Sequence, residues 1–325
     1  MKATTDGVVR EPSARESRRR LAEQATARLV EATDAVLGDR LVLEPGTKPN
    51  YFDDGVSVDA FSITERCPRR LARPAEDYVD SVATARRRIG LLAMRRLTTD
   101  VDPARSDGPL RLDTRSRSSL ESPARSVAVA VDEVMSSPDG WPNKLREWIE
   151  GLDRAGQAAV AAAVTTWCDG ALRLVGRHAG VVWADPTRTP SWNLPGRIVQ
   201  LRGSVDATIG GVVSGEKLLL LGDAMPGPAD RLRAGFAALL RAVGTRHAPV
   251  RVTLGSAATG TMQQFAVGPD LLDLASDRVA EIVGHRADPD AAPPMPSRGC
   301  SHCHLLDLCD EGLDHLTSTS RPRPQ

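Results

Sequence analysis

From its amino terminus onward the chain shows long stretches of helical periodicity, and in its second half these give way to short apolar runs. Over residues 13–37 apolar positions recur every three or four residues among arginines until Gly38-Asp39, which predicts an amphipathic, arginine-rich helix. Ser62-Ile63-Thr64-Glu65 has the spacing of a capping box, with Ser62 placed to accept from the Glu65 amide and the Glu65 carboxylate to accept from the amide of residue 62. A helix is therefore expected to begin one turn before Cys67, and another covers 78–97. Residues 98–126 lose all period, carry three prolines and read as a linker or insertion. Helices resume over 143–151 and 155–178, the second rich in alanine.

Beyond residue 178 the texture is that of strands. Residues 181–185, 197–209 and 217–221 are short and β-branched or aliphatic, and Gly210-Gly211 with Gly215 punctuate the last two like a hairpin. A helix is expected over 228–243, strands over 250–254 and 262–267, and a helix opened by Pro269 over 269–285. This order predicts an α/β domain with a mixed sheet. The expected organisation is a helical extension over 1–55, the first part of the α/β domain over 56–97, a linker and helical insertion over 98–164, the α/β core with its cysteines over 165–315, and a disordered tail over 316–325.

Composition adjusts this picture. Aromatic residues are only 3% of the chain, so aliphatic side chains and alanine must fill the interior, and Trp141, Trp148, Trp167, Trp183 and Trp192 are expected in core or interface packing before any stacking on bases. Lys plus Arg and Asp plus Glu number 42 each, so no global field steers the molecule toward a polyanion. Between Phe61 and Leu97, however, nine arginines face four acids. Arg69, Arg70, Arg86, Arg87 and Arg88 are the candidates for phosphate contact, against the plain alternative of a solvated helical face. The N-terminal stretch has no apolar leader, and no run approaches the eighteen or so apolar residues of a membrane span. A cytoplasmic protein is the expectation, and in that reducing compartment clustered cysteines point to metal rather than to disulfides.

Four of the five cysteines matter here. Cys300, Cys303 and Cys309 give the spacing C-x2-C-x5-C, able to bring three thiolates to one ion or cluster. A fourth ligand would be Cys67, just before Pro68, giving the all-cysteine set of an iron-sulfur cluster. His302, His304 or His315 would instead give a Cys3His zinc site. Cys168 lies inside the alanine-rich helix and reads as an ordinary buried small residue.

Together, Phe61-Ser62-Ile63-Thr64-Glu65-Arg66-Cys67-Pro68-Arg69-Arg70 and the late cysteine trio resemble the iron-sulfur branch of the PD-(D/E)XK nuclease superfamily, which includes the AddB C-terminal nuclease, exonuclease V and the CRISPR-associated RecB-like nucleases. The resemblance covers roughly residues 56–97 and 165–312. It implies a restriction-endonuclease-like mixed sheet flanked by helices, and a 4Fe-4S cluster on Cys67, Cys300, Cys303 and Cys309 that pins the two ends of the domain together. Arg202-Gly203-Ser204-Val205-Asp206 is similar to the family's G-x-x-D element, which makes Asp206 a ligand of a catalytic Mg2+ or Mn2+. Asp223-Ala224-Met225-Pro226-Gly227 stands where the family has D-x-K-T-G, so Asp223 matches the second metal carboxylate and Met225 replaces the lysine. Each aspartate also has a structural reading, Asp206 as a cap near Gly210 and Asp223 as the opening of the Pro226-Gly227 turn. Two further departures are Met94, four residues after Gly90, where many members place a metal-binding histidine, and Leu232 with Phe236 in place of a Gln and Tyr pair.

Hydrolysis of a phosphodiester needs carboxylates to hold the ion and a cation to orient water and offset transition-state charge, and a thioether does neither. The expectation is therefore a cluster-bearing, nuclease-fold DNA-binding protein with weakened or lost catalysis, working in DNA repair, recombination or defence with a helicase or nuclease partner. Two alternatives stand beside it. One is an active exonuclease whose cation has moved to Arg231, Arg233 or Lys217; the other is a redox-sensing scaffold.

Overall fold

The computed structural model describes residues 13–38, 56–57, 67–72, 81–99, 123–136, 142–175, 180–186, 188–194, 199–211, 215–222, 225–227, 230–297, 300–301 and 303–319. The first expected helix forms as α1 (Ala14–Leu37), where the Ser13 hydroxyl accepts from the Glu16 amide at 3.3 Å. Its buried positions, Ala22, Ala25, Leu29 and Ala32, keep a spacing of three and four. The two-residue strand β1 (Val56–Ser57) and the short α2 (Pro68–Ala72) precede α3 (Val82–Thr99). The capping box at 62–65 lies outside the described residues.

Helical structure then begins earlier than the sequence predicts, with α4 (Pro123–Ser136) ahead of α5 (Pro142–Glu150) and α6 (Arg154–Val175). Residues 127–131 alternate valine with alanine and so suit a strand as well as a helix. The structure chooses the helix by burying Val127, Ala130 and Val134 and leaving Val129 outside. By length and composition alone α6 would suffice to cross a membrane, a stretch the sequence reading did not register. Val160, Val164, Trp167 and Leu174 of α6 instead join the core it shares with α3 and α4.

Two sheets follow. The larger has five strands, β2 (Val181–Trp183), β5 (Ala207–Ile209), β6 (Lys217–Gly222), β7 (Arg251–Ser256) and β8 (Met262–Ala266), in that spatial order. Only β6 and β7 run parallel, joined across α7 (Arg231–Thr245). The smaller places β4 (Gln200–Arg202) between β1 and β3 (Ser191–Asn193). Residues 197–209, expected as one strand, are therefore split between the two sheets, and Gly203, at φ 150°, makes the crossing where a side chain would be strained. After β8, α8 (Pro269–Ala287) and a loop lead to a 3-10 turn at Leu306–Leu308 and to α9 (Asp310–Thr319), which carries helix into the stretch expected as tail.

β6 shows why the fold has helices on both faces. Its sequence is Lys-Leu-Leu-Leu-Leu-Gly, and alternation sends Leu218 and Leu220 into a core with α1, α7 and α8. Leu219 and Leu221 enter a second core with α3, α4 and α6. A strand apolar on both sides is stable only when covered on both sides. Each fully buried leucine contributes roughly 1.5–3 kcal/mol.

Candidate metal centre

The C-terminal cysteines are arranged by a run of tight turns. Backbone N–H groups of Cys300, Cys303, Leu306, Cys309 and Gly312 each bond the carbonyl three residues earlier, at 3.0–3.1 Å, beginning from Ser297. These turns set the three thiols along one edge of a small cavity.

That edge faces Cys67. This cavity, of about 30 Å3, is lined by Cys67 and Arg70 from α2 and its start, and by Ser297, Cys300, Cys303, Leu306, Cys309 and Gly312 from the tail. All four cysteines are free and half-buried. Backbone amides already point at two sulfurs, with Met295 N donating to Cys67 Sγ at 3.4 Å and Ser297 N to Cys300 Sγ at 3.3 Å. Gly312 packs closely here: a Cβ on it would sit 3.3 Å from Cys309 Sγ, a tight contact. The two walls are also tied by an ion pair, Arg69 to Glu311 at 3.3 Å. Although the four cysteines share the cavity, among the described residues no group of three or more His, Cys, Asp or Glu forms a set that would hold a single metal ion. Of the histidines weighed as zinc ligands, His304 is exposed, neither it nor His315 lines the cavity, and His302 lies outside the described residues.

Asp206 lies far from this centre in sequence and is fully buried at the start of β5. Its Oδ1 accepts from Arg87 Nε of α3 at 2.7 Å, and its Oδ2 accepts from the Leu221 amide of β6 at 2.6 Å. The carboxylate is therefore engaged by a guanidinium and a backbone N–H where the resemblance implies a divalent ion. Asp223 lies outside the described residues. Met225, beside it, is 69% exposed and brings no charge. Of the cations considered as replacements, Arg233 comes nearest the end of β6, its Nη1 3.6 Å from the position a Gly222 Cβ would take. Lys217 sits at the opposite end of that strand, and Arg231 is exposed. Met94, at the position of the family's histidine, is fully buried in the core, and Gly90 lies against the Trp167 ring, where a Cβ would come within 2.5 Å.

The arginine-rich stretch is largely answered from within. Besides Arg69 and Arg87, Arg95 pairs with Asp185 at 3.1 Å and Arg96 with Glu133. Arg70 borders the cysteine cavity, while Arg86 and Arg88 lie on α3, half-buried. Cys168, the fifth cysteine, is fully buried, and burial, with a smaller contribution from the Asp169 charge, pushes its thiol up to about 12.

Comparison with protein-family models and with curated proteins finds no match to this sequence.

Proposed function

We propose that this chain is an iron-sulfur protein of the restriction-endonuclease-like fold that binds DNA, with its own hydrolytic centre weakened or lost. In this reading it works beside a helicase or nuclease partner in DNA repair, recombination or defence. The observation that carries the proposal is the shared cavity of Cys67 with Cys300, Cys303 and Cys309. Residues so far apart in sequence have no local reason to meet, and four thiols make a donor set suited to iron-sulfur ligation.

The all-cysteine donor set, with no histidine among the described residues that line the cavity, favours a cluster over a Cys3His zinc site. When bound, the cluster supplies iron-thiolate bonds that tie α2 to the tail. Cys67, Cys300, Cys303 and Cys309 would hold it, and the amides of Met295 and Ser297 orient two of the sulfurs. Loss of catalysis follows from the commitment of Asp206 to Arg87 and the Leu221 amide, together with Met225 in the lysine's place.

Anaerobic purification with an absorption spectrum and metal analysis tests the centre. Brown protein with about four irons per chain is expected. One zinc per chain would replace the cluster by a finger-like site. DNA binding is tested by mobility shift at low salt, where phosphate contacts are strongest. No affinity for single-stranded, duplex or forked DNA would overturn that half of the proposal. The proximity of Arg233 to the end of β6 favours the active-exonuclease reading enough to test it: cleavage of labelled DNA with Mg2+ or Mn2+ that disappears in Asp223→Ala would establish it, and we expect none.

A further inference from the structure

A second cavity, of about 310 Å3, lies between α7 and the β2–β5 edge of the five-stranded sheet. Its floor is the β2–β5 pair, where Val182 and Thr208 sit opposite each other. One strand further on, Leu218 is covered by α7, but Val182 remains 63% exposed. One wall is a stripe of α7, Ala237, Leu240 and Arg241, and Trp192 of β3, packed on that same helix, closes the cavity beside it.

Three features make this a prepared surface. Gly244 continues the α7 stripe, and a Cβ on it would lie 2.2 Å from Trp192 Cε2, so the indole is seated where only glycine permits it. Arg241 is held by Glu216, itself 7% exposed, through Nε at 2.7 Å and Nη2. Of five guanidinium N–H groups, a fixed fork spends only part on that carboxylate, which leaves donors already oriented. Arg188 stands at the rim, exposed, with no side-chain partner among the described residues. The acids nearby are spoken for, Glu216 by Arg241 and Asp185 by Arg95. The cavity therefore offers one aromatic wall and a net positive charge, at the lower end of ligand-pocket volumes.

We propose that this cavity binds a nucleotide, with the base against Trp192 and the phosphate between Arg188 and Arg241. A ring and an anion on one small molecule match the aromatic wall and the two guanidiniums together, where a simple anion would use only the second. The nucleotide is either free or one unit of a single DNA strand. This site does not depend on the cysteine centre, so iron content and nucleotide binding fail separately.

The test is calorimetric titration of the full chain with dAMP, with inorganic phosphate and with a short single-stranded oligodeoxythymidylate. Saturable binding of dAMP or of the oligonucleotide is expected, and which of the two binds more tightly identifies the source. Arg188→Ala, a surface change that spares the fold, is expected to weaken binding at least about tenfold. Thr208→Phe, which fills the floor, is expected to abolish it. Absence of saturable binding, affinity unchanged in both variants, or equal affinity for inorganic phosphate would each overturn the proposal.

Discussion

Cys168 and Cys67 are the same residue in opposite settings, and the difference is chemical. Cys168 is enclosed by α3 and α6, with its Sγ 3.8 Å from the Gly90 carbonyl, and stays protonated far above neutrality because a thiolate there would be unsolvated. Its pKa rises from 9.0 unfolded to about 12 folded, so the folded state holds a proton the unfolded state has lost. The stabilising contribution is complete below pH 9 and falls away as pH climbs toward 12. Iodoacetamide at pH 8 is therefore expected to leave Cys168 unlabelled in the native chain and to label it in denaturant, read by peptide mass spectrometry. Asp206 presents the matching case for a buried carboxylate. Removing one partner of a fully buried ion pair costs about 3–5 kcal/mol, and less here because Arg87 is 36% exposed and the Leu221 amide stays on Asp206. Arg87→Met is expected to lower stability by about 1–3 kcal/mol in urea unfolding. Arg87→Met combined with Asp206→Leu is expected to recover much of the loss, whereas equal losses in both variants would mean the pair contributes little.

Among the elements, close backbone approach sets the tolerance to change. Gly170 of α6 lies against the turn between β7 and β8, where a Cβ would be 1.9 Å from the Ala257 carbonyl oxygen. Alanine favours helix by about 1 kcal/mol over glycine, yet here it must push α6 off the sheet, and overpacking of that kind costs about 1–3 kcal/mol or more. Gly170→Ala is expected to lower the thermal midpoint, and Gly260→Ala, with open space around it but φ +71°, to do so less. The same elements explain what was legible in the sequence. α1, α6, α7, α8 and the strands β6 to β8 follow from periodicity because their own residues decide them. β1 and β3 have two and three residues and exist only through pairing with β4, which no local pattern announces. The split of 197–209 is a tertiary event at Gly203, and α4 was hidden because its valine alternation satisfies two periods at once. At the cysteine site the trio was readable from spacing, while the seating of Trp192 on Gly244 and the pairing of Arg87 with Asp206 join residues with no shared local pattern.

At the scale of the molecule, the cysteine cavity is the place where an early segment meets the last one. α2 rests on α8, Cys67 faces the tail's row of turns, and the Arg69–Glu311 pair ties the two walls as an exposed contact worth no more than about 1 kcal/mol. Without a stronger bond the tail is held by little, since Leu308 and Leu313 of this region remain exposed. A covalent tie between residues 67 and 300 closes a loop of well over one hundred residues, and such a closure stabilises by on the order of 5 kcal/mol where chain entropy governs. For a chain of this size that corresponds to about 7 °C in thermal midpoint. Cys67→Ser is accordingly expected to lose iron, to melt lower by that amount and to expose residues 298–319 to protease first. Cluster removal by an oxidant and chelator is expected to bring the wild type to the same midpoint, and Cys168→Ala to keep full iron content while melting lower through lost packing alone. A Cys67→Ser protein that retained iron and midpoint would separate residue 67 from the late cysteines and leave the tail's three thiols to a different role.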